Sequence, residues 1–400
     1  MAKKWLFTLI AFSKRLSARA AFFALLGVVA SLVSVLLDDF VPDKFADLAG
    51  GRAVDGILSI MASSMLIVVT FSLSNVISAY SSATQQATPR ATVLIRDDPD
   101  TQSAISIFLG AFIYSIVSVI ALSTGYYGEK GRVILLIITV LVLMTVVWVI
   151  IRWVDKLKNM GSVSKTIQSV EYVTRKALEK RAQMPTFGCN LRVEVPVTTT
   201  ALMSPTVGFI QNIDISYLEK LAEKEKLDLY FLHDIGAFVS STASLVLVRR
   251  ESISKKVERK ILKAFAIGNL RTFDNDPIYG VSTLSGIAIK ALSPAVNDPG
   301  TAIDVAYSLL RVFISFEAVN HERSDEGIIH KHLYFPELDI NELFHQAFYY
   351  LIIESVSNLQ VTKTMNDILV NVKDLPNAAF LDNADKLLRV LASQAMDKRN

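Results

Sequence analysis

The triplet Asn-Asp-Pro occurs twice in a short span, as Asn275-Asp276-Pro277 in "FDNDPIYG" and as Asn297-Asp298-Pro299 in "ALSPAVNDPGT". With Asp274 and Asp304 nearby, these carboxylates have the hard oxygen chemistry that suits Mg²⁺ or Ca²⁺. The same residues have a simpler use. An Asp accepts from backbone N–H groups at the start of a helix, and a Pro directly after it loses nothing by lacking an N–H. A helix N-terminus can also receive an anion, but a capping Asp already fills that field with negative charge. The triplets are therefore read as the two starts of a helical hairpin, with Asp276 and Asp298 as caps and the first helix ending near Lys290. No metal or cofactor is assigned to them, and Asn275 and Asn297 are left to explain.

Other chemistry-bearing residues are sparse. No glycine-rich phosphate loop, Gly-x-Ser-x-Gly elbow, His-Glu-x-x-His or paired-cysteine motif is present, so no enzyme and no catalytic residue is expected. His233 beside Asp234, the His330-Lys331-His332 run and His345 on an apolar stretch lack a nucleophile or metal partner in sequence and read as structural. The single cysteine, Cys189, has no disulfide partner and suits a reducing compartment.

A different constellation lies in "SNVISAYSSATQQATP". Asn75, Ser78, Ser82 and Gln85 recur at spacings of three, four and three, which places them on one face of a helix. Such a stripe serves either to hold helices together by hydrogen bonds or to line a water-filled path, and the four residues are the pore-lining candidates.

The elements that must carry these residues follow from composition. The chain is 52 % hydrophobic and only 20 % charged, and uncharged runs crowd its first 155 positions or so. Runs at 20 to 37, 56 to 89, 101 to 128 and 133 to 151 are each near or above the ~18 residues that mark a membrane span, so four transmembrane helices are expected. Lys3, Lys4, Lys14, Arg15, Arg19, Arg90, Arg96, Arg152, Lys156 and Lys158 flank one side, against Lys44, Arg52, Lys130 and Arg132 on the other. By the positive-inside rule both termini are cytoplasmic. No Asp, Glu, Lys, Arg or His lies inside any run, which disfavours proton-coupled transport. A net charge of +3 gives no argument for nucleic acid.

The expected fold is an α-helical membrane protein with four transmembrane helices followed by a cytosolic α+β part. Its boundaries are a cytosolic amphipathic N-terminus (1–19), a transmembrane domain (20–154), a connecting helix kinked at Gly161 (155–188), a β-rich module (189–250) and an α-helical domain (251–400). The module's strands are read from "LRVEVPVTT", "TVGFIQNID", "LDLYFLHD" and "ASLVLVRR", and its inserted helix from a Ser216/Glu219 capping box.

The segments "MASSMLIVVTFSLSNVISAYSSATQQATPR", "GFIQNID" and "TFDNDPIYGVSTLSGIAIKALSPAVNDPGTAID" resemble a bacterial family of predicted membrane proteins containing a domain of unknown function. The resemblance implies a cytoplasmic (inner) membrane protein with four N-terminal spans and a cytosolic C-terminal half. It brings no established activity.

Two functions fit. One is a homo-oligomeric ion channel or pore whose second spans line the path and whose cytosolic halves form a vestibule or gate. The other is a membrane-anchored cytosolic sensor or scaffold that binds a ligand or protein partner. Expected partners are the lipid bilayer, a second copy of the chain, and an ion or small ligand.

Overall fold

The computed structural model describes residues 21–22, 25, 28–29, 53–96, 98–124, 129–158, 160–323 and 327–397. The chain divides into two compact units, residues 1–85 with 92–162, and residues 86–91 with 163–400.

The first unit is built on α1 (Ala53–Gln86), the short α2 (Thr92–Arg96), α3 (Pro99–Ser123) and α4 (Glu129–Leu157). Among the described residues three stretches, Val54–Gln86, Thr92–Ser123 and Gly131–Leu157, are long and apolar enough to cross a membrane. The first expected span, 20 to 37, lies almost entirely outside the described residues; Ala21, Phe22, Leu25, Val28 and Val29 within it are helical. The span expected at 101 to 128 is shifted, because Asp98 accepts from Thr101 N–H and Pro99 follows it, so α3 starts there. Val54, Leu58, Met61 and Met65 of α1 are buried, as are Ala104, Phe108 and Ala111 of α3 and Val146, Val149 and Trp153 of α4. Their three-and-four spacing makes one apolar seam per helix. Between α3 and α4 the buried Tyr114 and Thr139 hydroxyls meet at 2.9 Å, and Lys156 pairs with Asp98 at 2.6 Å and Asp100 at 2.9 Å.

The kinked connecting helix expected from 155 to 188 is two helices. α4 ends at Leu157, Gly161 takes φ +82°, and α5 (Val163–Gln183) starts afresh. Gly161 lies so close to α1 that a Cβ there would sit 3.0 Å from Ala79 Cα. Both the left-handed backbone and the close approach require glycine.

α5 is central to the second unit. Thr166, Ile167, Val170, Thr174, Ala177, Leu178, Arg181 and Ala182 are buried, and α5 packs on α8 (Pro277–Leu292) and α9 (Pro299–His321). Thr174 lies against Gly280, where a Cβ would come within 2.2 Å of its Oγ1. Further helices α10 (Ile340–Phe344), α11 (Tyr350–Ser355), α12 (Leu359–Lys373) and α13 (Ala378–Asp397) complete the helical body, with a π-helical turn at His345–Tyr349 joining α10 to α11. Phe313, Phe316, Phe344, Phe348 and Phe380 form its aromatic core, with ring centroids 4.8 to 5.8 Å apart.

The β part is not confined to 189–250. β1 (Cys189–Leu191), β2 (Thr200–Met203), β4 (Leu229–Phe231) and β6 (Ser244–Val248) join β8 (His330–Phe335) in a five-stranded sheet of order β1-β8-β4-β6-β2; β5 (Phe238–Val239), β3 (Gly208–Ile213) and β7 (Phe265–Gly268) form a second sheet. β8 runs parallel to both β1 and β4. A parallel neighbour needs a long crossover, so a strand from within the stretch expected to be helical fills a central sheet position. The inserted helix, α6 (Ile215–Glu225), is capped by Asp214, which accepts from Tyr217 N–H. Glu219 instead accepts from His332 N–H of β8 at 3.3 Å. α7 (Lys255–Leu262) closes the same core with Ile261.

Because α5 buries one face against α8 and α9, residues 163–400 expressed alone are expected to give a cooperative melt by circular dichroism, whereas residues 185–400 are expected to aggregate or melt without a sharp transition.

Candidate functional site

Within the second unit, the end of α5, the loop after β4 and the approach to α8 converge on buried charge. Asp276 is only 2 % exposed. Its carboxylate caps α8, accepting from Tyr279 N–H at 3.0 Å, and receives both Arg271 Nε and Nη2 at 2.7 Å. On its other side is Gly236, at φ +90°, where a Cβ would come within 2.1 Å of Asp276 Oδ2. Glycine is needed there for space and for backbone conformation alike. The loop carrying it is pinned by Gly236 N–H to Ile210 O at 2.8 Å.

Two residues before Gly236, Asp234 accepts from Arg181 Nη2 at 2.6 Å. Arg181 is 3 % exposed, and its guanidinium carbon lies 4.3 Å from the Phe187 ring centroid and 5.4 Å from that of Phe335. Its Nε and Nη1 make no hydrogen bond among the described residues. Burial pushes the Asp234 carboxyl up to about 6, against the pull of the Arg181 guanidinium and with the Asp276 charge adding to the rise. Burial likewise pushes the Cys189 thiol up to about 12, so this cysteine is inert at neutral pH.

Asn275 accepts from Lys180 Nζ at 2.7 Å and donates to Asn212 Oδ1 at 3.3 Å, tying α5 and β3 to the start of α8. Asn297 acts through its backbone instead. It takes φ +49°, the left-handed conformation that Asn tolerates, so that Asp298 N–H reaches back to Ala291 O at 2.8 Å. Asp298 then caps α9, accepting from both Thr301 N–H and Oγ1–H. These hydrogen bonds hold its carboxyl below the usual carboxylate range.

The two triplets do not form one site. α8 has 16 residues, about 24 Å at 1.5 Å per residue, and Asp276 and Asp298 cap helices at its opposite ends. No group of three or more metal-ligating side chains occurs among the described residues. Arg181, Asp234, Arg271 and Gly236 were outside the sequence expectations as site residues. One signal was present: Arg181 falls in register with the buried Val170, Thr174 and Leu178 on the apolar face of α5.

The stripe on α1 is partly engaged locally. Asn75 donates to Phe71 O at 2.9 Å, Ser82 to Gly161 O at 3.4 Å and Gln85 to Ser81 Oγ at 3.4 Å, while Ser78 is exposed. The buried side of this stretch is lined by Ser72, Ala79 and Ala83. Of the histidines, His332 meets Asp228 at 3.2 Å and His345 stacks on Tyr349 at 4.7 Å.

Three long apolar helices, followed by a unit of helices and small sheets, define the class as a helical membrane protein with a large mixed α and β portion. The chain belongs to the family described as "Predicted membrane protein (DUF2254)", whose model matches residues 13–371. It is 29 % identical over 122 residues to Uncharacterized protein Rv1290c of Mycobacterium tuberculosis and to Uncharacterized protein Mb1321c of Mycobacterium bovis. That stretch is 29 % of this chain and 23 % of each relative, so the match spans about a quarter of their length. No solved structure shows significant similarity to the chain.

Asp298→Ala removes an exposed cap and is expected to lower stability by ~1 kcal/mol. Asp276→Ala also strands Arg271 and is expected to cost ~3 kcal/mol or more in chemical denaturation. Asp234 holds its proton in the fold at pH values where the unfolded carboxyl, near 3.8, has lost it. The stability this group contributes is therefore greatest below about pH 4 and falls as pH rises through about 6. Melting of residues 163–400 across that range should show the decline, and Asp234→Asn should flatten it.

Proposed function

We propose that the protein is a non-enzymatic, membrane-anchored sensor or scaffold of the bacterial cytoplasmic membrane, with both termini cytoplasmic and its second unit binding a small ligand or protein partner. The observation that carries this reading is the buried Arg181, whose Nε and Nη1 donate to nothing among the described residues although the side chain is 3 % exposed. Buried donors without acceptors are costly, and an anionic group admitted by movement of the 233–237 loop would satisfy them. Coupling to the rest of the unit runs through Asp234 and Gly236 to Asp276 and the start of α8.

The homo-oligomeric pore draws on one specific feature, the 34-residue α1 with its polar stripe. Entering a ~30 Å hydrocarbon layer near Val54, the helix has crossed it by about residue 74 at 1.5 Å per residue. Asn75, Ser78, Ser82 and Gln85 then lie at or beyond the far boundary, which favours anchoring over pore lining.

Proteoliposomes of the full chain are expected to pass no more current than protein-free bilayers under voltage, tension and ionic gradients. Native mass spectrometry of the purified chain is expected to show a retained anionic molecule that Arg181→Gln releases. Current altered by Ser78→Leu or Gln85→Leu would establish the pore instead.

A further inference from the structure

Arg181 holds its carboxylate differently from Arg271 and Arg311. Those two each present Nε and Nη2 together, to Asp276 and to Glu171, with every distance between 2.6 and 2.7 Å. Arg181 gives only Nη2, at 2.6 Å to Asp234 Oδ2 and 3.2 Å to Pro336 O, and its Nε and Nη1 reach no acceptor among the described residues. Its fork is half used. Asp234 Oδ1 accepts from Ile235 N–H at 2.7 Å, so the second oxygen is committed to its own loop.

Solvent reaches the two partners unequally. The Arg181 side chain keeps 2 % of its exposure and that of Asp234 keeps 27 %, so an anion arriving from water meets the carboxylate before the guanidinium. The guanidinium lies against the rings of Phe187 and Phe335, which pack with Cys189 and Ile235 in the apolar core. The surroundings of the open N–H groups are therefore apolar.

Charge sets the stoichiometry. Two carboxylates, Asp234 and Asp276, are matched by two arginines, Arg181 and Arg271. Facing Asp234 are Arg181 from α5 and Asp276 from the start of α8; Glu337, after β8, is exposed and acts on Arg181, the Cys189 thiol of β1 is neutral, and His233 precedes Asp234 in the chain. A further anion would leave one carboxylate without a counter-charge, where burial already disfavours the ionised Asp234. A proton on Asp234 restores the balance.

We propose that Arg181 takes a small organic monocarboxylate from solvent in exchange for Asp234, and that each carboxylate bound brings one proton, which neutralises the displaced Asp234. Nη2 gives up Asp234 Oδ2, the Nε and Nη2 fork closes on the two oxygens of the ligand, and a solvent proton goes to Asp234. The charge of the cluster is unchanged. A doubly charged anion would need a second proton acceptor, and the apolar rings suit a ligand with an apolar body. This deepens the sensor reading and rests on it, since Arg181 must first be an anion receptor.

The test is calorimetric titration of the full chain in nanodiscs with benzoate, in buffers of different ionisation heat, which reads affinity and proton uptake together. Uptake of one proton per benzoate is expected at about pH 7.5, falling toward none at about pH 5, where Asp234 already holds its proton. Affinity is expected to weaken roughly tenfold per pH unit above about 6.5. The proton count is read on the wild type and needs no variant to fold. Asp234→Asn has no proton to gain, so at about pH 7.5 it is expected to bind benzoate at least roughly tenfold more tightly than the wild type, without uptake. That variant also separates Asp234 from His233. Sulfate is expected to bind more weakly than benzoate, and Arg181→Gln to bind neither. Absence of benzoate binding, binding without proton uptake, sulfate bound as tightly, or binding lost in Asp234→Asn would overturn the exchange. An anion retained in native mass spectrometry and released by Arg181→Gln would then still support the sensor reading, whereas a wild type that holds no anion of any kind removes both.

Discussion

A carboxylate withdrawn from water sets the terms for the second unit. Asp276 is buried to 2 % exposure, and a charge in that position is tolerable only when every face of it is met by a donor or a counter-charge. The first turn of α8 supplies one donor and the Arg271 fork supplies two. The remaining space is closed by the backbone of Gly236, where any side chain would overlap the carboxylate. The helix start, the arginine and the loop after β4 are thereby held in one arrangement. Arg181 and Asp234 extend the same constraint to α5, and Asn275 carries it to Lys180 and β3.

The first unit is governed by a simpler balance. Its helices are apolar over most of their surface, and their mutual packing uses regular seams of Val, Leu, Met, Ala and Phe. Several buried hydroxyls are paired within or between helices, as with Ser115 and Ala111 O and with Tyr114 and Thr139. A bilayer covers the outward apolar side chains of such helices, including Ile60, Leu66, Ile67 and Phe71. At the polar end of α1, Asn75 and Gln85 turn to their own helix for hydrogen bonds.

Much of this was legible in order along the chain. Uncharged runs marked the long helices, and Asp-Pro pairs marked the starts of α8 and α9 because a cap and its proline act within one turn. The Gly161 break was visible only as a kink: nothing in the local sequence says that Ala79, eighty-two residues earlier, lies against that glycine. The capping box at Ser216 was misplaced by two residues because Asp214 competes for the same N–H groups, and Glu219 is drawn instead to the β8 backbone. The helix that carries Arg181 reads as a basic, solvated connector, yet its apolar register already placed that arginine on the buried face.

By itself the sequence determined the membrane class, the starts of α8 and α9 and the family, because hydropathy over a span and capping within a turn are local properties. Tertiary structure alone decided that β8 enters the sheet between β1 and β4, and that Asp234, Gly236 and Asp276 meet. Those outcomes depend on contacts between residues tens to more than a hundred positions apart. Burial there decides which charges must be paired, and no short stretch of sequence contains both members of the pair.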